Sequence, residues 1–60
     1  MTVEEMHAKI EEYIAEEEAD ADKYEQLAST HPDYHCIFRD MAHEERSHAR
    51  LLRHILAHAK

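Results

Sequence analysis

The chain has 60 residues, no glycine, one proline, one cysteine and a formal net charge of −7. So acidic a chain is poorly suited to nucleic acid or to an anionic membrane surface, and no apolar run approaches the ~18 residues of a membrane helix. A single cysteine, Cys36, excludes an internal disulfide and fits a reducing compartment, so the expectation is a cytoplasmic protein.

Sixty residues make one unit with a small core, and chains of this size often need a metal or a second copy as a staple. Abundant Ala, Glu and His without glycine is a helix-forming composition. Thr2 and Glu5 have the spacing of a capping box, which predicts a first helix from about residue 3 to 29. Ser29-Thr30-His31-Pro32 is the only turn signal, because proline suits a first helical turn and pushes the residue before it out of helix. A second helix is predicted from about 32 to 58. The fold class is therefore all-α, an antiparallel helical hairpin.

The arms differ in charge. Residues 1–30 hold ten acids and two bases; residues 31–60 hold four acids and five bases. Alternating steps of four and three trace a seam along each arm. The first runs Val3, His7, Ile10, Ile14, Glu17, Ala21, Tyr24, Ala28. The second runs Tyr34, Phe38, Met41, Glu45, His48, Leu52, Ile55, Ala59. Only two acids and no Lys or Arg fall on these sixteen positions, in a chain that is 35% charged. Met6, Tyr13, Leu27, Ile37, Leu51 and Leu56 flank the seams, and the stripe is wider than one partner helix covers. The expected outcome is dimerisation into a four-helix bundle.

Counting from the turn puts Tyr24 level with Phe38, and Glu17 level with Glu45 at mid-arm. Glu45 and His48 lie one helical turn apart. Glu-x-x-His by itself is weak evidence, since Glu4-x-x-His7 also occurs and ten Glu with seven His make about one chance match. What distinguishes Glu45 and His48 is their place on the seam opposite Glu17. Doubled by a second chain, the three residues would bring four carboxylates and two imidazoles together. Two divalent cations would balance that charge, whereas unpaired buried carboxylates are costly. The donor set suits iron or manganese, and zinc also binds such ligands. A buried polar layer that only sets register is the competing reading.

Two segments, Glu17-Glu18-Ala19-Asp20-Ala21-Asp22-Lys23-Tyr24-Glu25-Gln26-Leu27-Ala28 and Met41-Ala42-His43-Glu44-Glu45-Arg46-Ser47-His48-Ala49-Arg50-Leu51-Leu52, resemble the metal-binding helices of the ferritin-like superfamily. The nearest pattern is that of encapsulated ferritins and rubrerythrin-like di-iron carboxylate proteins. The resemblance implies a ferritin-like four-helix bundle, with two irons per dimer and Glu17, Glu45 and His48 as ligands and catalytic residues. It implies ferroxidase-type activity, the oxidation of Fe(II) by dioxygen or peroxide. It places Tyr24 beside the site; by position on the helices, Glu18, one residue off the seam, is the rival to Glu17, and Glu44 could hold His48 or Arg46, although a solvated face suits Glu44 better. It further implies a homodimer or larger even-numbered assembly, with an encapsulating shell protein as partner and a nanocompartment as location. This chain departs from the pattern in having two helices rather than four and Asp20 where a small residue is usual. Glu16 and Asp20 could also form an acidic entry path for cations, although helix-surface acids fit them at least as well. The alternative function is a non-enzymatic metal-binding or metal-stabilised dimerisation module. His31, His35, His43, His54 and His58 are expected at the surface.

Overall fold

The computed structural model describes residues 1–58, which form two packed helices and no strand. The first helix, α1 (Val3–Thr30), begins at the capping box read in the sequence. The Thr2 hydroxyl accepts from the Glu5 amide at 3.1 Å, and the Glu5 carboxylate accepts from the Thr2 amide at 3.2 Å.

The turn is built by Thr30, His31 and Pro32. The Thr30 hydroxyl donates back to the Gln26 carbonyl at 3.0 Å, and His31 leaves helical geometry at φ −129°, ψ 82°. Pro32–Tyr34 then forms a 3₁₀ turn, and α2 runs over His35–His58. The α-helix thus starts three residues later than the sequence pattern suggests. Proline has no amide to donate, and the tighter 3₁₀ turn reverses the chain in fewer residues. His35 fastens the turn, its Nδ1 donating to the Ala28 carbonyl at 3.2 Å.

The helices pack as an antiparallel hairpin about 45 Å long. Tyr24 stacks on Phe38 with ring centroids 6.5 Å apart, and Tyr34 meets Phe38 edge-on at 6.3 Å, which fixes the register near the turn. At the open end Ile10, Ile14 and Ala49 pack with Leu52 and Leu56. Between these clusters the contact is made by alanines, Ala21 and Ala42, and Ala28 and Ala49 are buried toward the two ends. Small side chains let the two backbones approach closely.

The alanines alter one expectation. The residues of α2 that are most buried against α1 are Ala42 and Ala49, each one position from the predicted seam. Tyr34, His48 and Ile55, which the seam assigned to the contact, are exposed. The helix is rotated so that its small residues face α1, while Ile37, Leu51 and Ile55 lie on a free flank. The seam's last residue, Ala59, lies outside the described residues.

That flank is wide. On α2, Ile37, Glu44, His48, Leu51 and Ile55 repeat at steps of three, four and seven; Ile37 is 60% and Leu51 59% exposed. On α1, Met6, Tyr13, Asp20 and Leu27 repeat every seven residues, with Glu17 and Tyr24 between them. Among the described residues no helix is long and apolar enough to cross a membrane.

Candidate metal centre

Glu17 projects from the middle of α1, and Glu45 and His48 from one turn of α2. Each residue offers one ligand-type atom within 4.8 Å of the others. Both glutamates are half-buried, and His48 stands at the rim, its side chain 56% exposed. Glu17 and Glu45 are brought level by the hairpin register, and His48 follows from the i, i+3 geometry of α2.

The electrostatics are those of two acids forced together. Glu45 is held above its ordinary value of 4.5. The Glu17 carboxyl beside it is the largest cause. Burial, then the charges of Glu17 and Asp20, act in the same direction, and His48 opposes them. The pair nevertheless leaves one atom unsatisfied: Glu17 Oε2 is buried and has no hydrogen-bond donor. His48 Nδ1 lies 3.5 Å from that oxygen without forming a hydrogen bond to it. An acceptor withdrawn from water, beside a second carboxylate and an imidazole nitrogen, is what a divalent cation would satisfy. The donor set therefore fits a metal with oxygen and nitrogen ligands.

Other acids near this layer are engaged elsewhere. Glu18 accepts from Arg53 Nη2 at 2.6 Å, and Arg46 bridges Glu25 at 2.7 Å and Asp22 at 3.3 Å. The Arg46 guanidinium holds the Glu25 carboxyl below its ordinary range. These pairs line the opposite groove of the hairpin, so Glu18 is turned away from Glu45 while Glu17 faces it. Arg46 is likewise turned from Glu44, which is exposed on the free flank. Tyr24 is half-buried against Phe38, and its α-carbon lies two turns, about 10 Å, along α1 from Glu17.

Two features were not read from the sequence. Asp20 is half-buried, lies 3.5 Å from the Lys23 ammonium, and is close enough for its charge to act on Glu45. Its signal was the three-residue step from Glu17. The arginine pairs were visible only as the charge difference between the arms. Compared with known proteins, the chain matches no family model, no curated protein and no solved structure.

Proposed function

We propose that two hairpins join through their free apolar flanks into a four-helix bundle, and that Glu17, Glu45 and His48 of each chain form a shared di-iron centre with ferroxidase-type activity. The observation that supports this best is the buried, donor-less Glu17 Oε2 beside Glu45 and His48, on the flank that also exposes Ile37, Leu51 and Ile55. Iron is assigned from the oxygen-rich donor set with one imidazole per metal, and from the resemblance of both segments to ferritin-like helices.

Ferrous iron is here the substrate: two ferrous ions each give one electron to a peroxide, which becomes two hydroxides, or together reduce dioxygen with two protons to hydrogen peroxide. The chain's residues prepare that chemistry. A bound cation favours the ionised form of Glu45, so binding strengthens as pH rises through that residue's raised value. The four carboxylates of two chains balance two divalent ions. His48 contributes a neutral nitrogen, and the apolar flanks around it exclude water when a second chain covers them.

Stopped-flow oxidation of Fe(II) under air tests the reading. The wild-type protein should oxidise iron faster than buffer, and Glu45→Ala and His48→Ala should each lower the rate by at least about tenfold, a loss of ~1.4 kcal/mol of transition-state stabilisation. Iron bound at two per dimer but oxidised no faster than in buffer would leave a metal-binding module. A specific observation favours a third, metal-free reading: Glu45 is held above its ordinary value beside Glu17, which lessens the charge this layer would carry in a hairpin without metal. Absence of metal in protein kept from chelators would select that reading.

A further inference from the structure

We propose that His54 and His58 form a second, peripheral site for borderline divalent cations, with copper(II) bound most tightly and zinc or nickel more weakly. The two rings stand one turn apart on α2, with centroids 4.1 Å apart and planes tilted by 57°. Among the described residues, hydrogen bonds to histidine rings fall on His31 and His35, so neither ring of the pair is engaged in this way. Both residues are exposed.

Histidines at i and i+4 on a helix present two imidazoles to one cation, the spacing that zinc-binding helices use. The helix supplies the preorganisation. Once one imidazole has bound, the second is held nearby at high effective concentration. Imidazole nitrogen selects copper, nickel and zinc over calcium and magnesium, and copper(II) leads the divalent series. Solvent fills the remaining coordination positions. Arg50, one turn before His54, opposes a cation there and moderates the affinity. The pair shares no residue with Glu17, Glu45 and His48, so the proposal stands whether or not that centre binds iron.

The test is a copper(II) chloride titration of the full chain, followed through the histidine ring protons by NMR, in a His48→Ala background. The paramagnetic ion broadens the rings it binds. His54 and His58 should broaden together, at copper concentrations about tenfold lower than His31 and His43 require. In H54N, with helicity checked by circular dichroism, the His58 signal should need about tenfold more copper, because the chelate partner is gone. Broadening of His58 that is unchanged by H54N would overturn the proposal. So would a pair no more sensitive than His43.

Discussion

Glu17 and Glu45 are an unusual choice for the middle of a helix pair, and their energetics make a prediction at the residue scale. A carboxyl raised above its unfolded value binds its proton more tightly in the folded chain. The stability this contributes is fully present below pH 4.5 and is lost as pH rises through the raised value. Chelator-treated protein should therefore lose stability over that rise relative to Glu45→Gln, which keeps a neutral hydrogen-bonding group at every pH. Urea melts of both proteins between pH 4 and pH 7 check it, and parallel profiles would contradict the assignment. Added metal should reverse the trend, because the cation binds better as Glu45 ionises. His48 is separable from the pair. His48→Ala should weaken metal binding by at least about tenfold, ~1.4 kcal/mol, while leaving the metal-free melt within about 0.5 kcal/mol because the ring is mostly exposed. Calorimetric titration beside thermal melts distinguishes the two effects. At this scale the sequence was informative about identity and less so about orientation. Glu17 and Glu45 could be paired by counting from Pro32, since both arms have the same rise per residue. The choice between Glu17 and Glu18 became physical only with Arg53, whose guanidinium draws Glu18 to the other groove.

At the scale of elements, the helices follow local rules that the sequence displays openly. Thr2 and Glu5 cap α1, the absence of glycine keeps both arms unbroken, and Pro32 sets the turn. The rotation of α2 was not legible. Heptad counting weighs Met41, His48 and Ile55 as seam residues, but the α2 residues most buried against α1 are Ala42 and Ala49. Apolar periodicity finds a stripe and does not say which edge of a wide stripe meets the nearest helix. The consequence is testable. Ala42→Leu should overfill a contact that has no room for a larger side chain and cost about 1–3 kcal/mol, read from denaturant melts. The same change at Ala57, which is exposed, should cost less than about 0.5 kcal/mol. Equal effects at both positions would mean that the helices are not in close contact at Ala42.

The whole molecule is a slender hairpin whose larger apolar side chains are largely uncovered. Met6, Tyr13, Ile37, Leu51 and Ile55 are all exposed, and the Glu17–Glu45–His48 cluster lies between the two flanks that carry them. Its few buried residues are mostly alanines, a small core for 60 residues. A second copy would cover the flanks and complete the metal site in one step, which couples assembly to metal binding. Leu51→Glu should therefore weaken the dimer and the metal site together, although Leu51 is not itself a ligand. The measurement that bears most directly on this is native mass spectrometry with metal analysis of protein kept from chelators. The account predicts a dimer, or a larger even-numbered assembly, carrying two metal ions per two chains, and a metal-poor monomer for Leu51→Glu. A wild-type monomer, or a dimer without metal whose stability rises in Glu45→Ala, would contradict it.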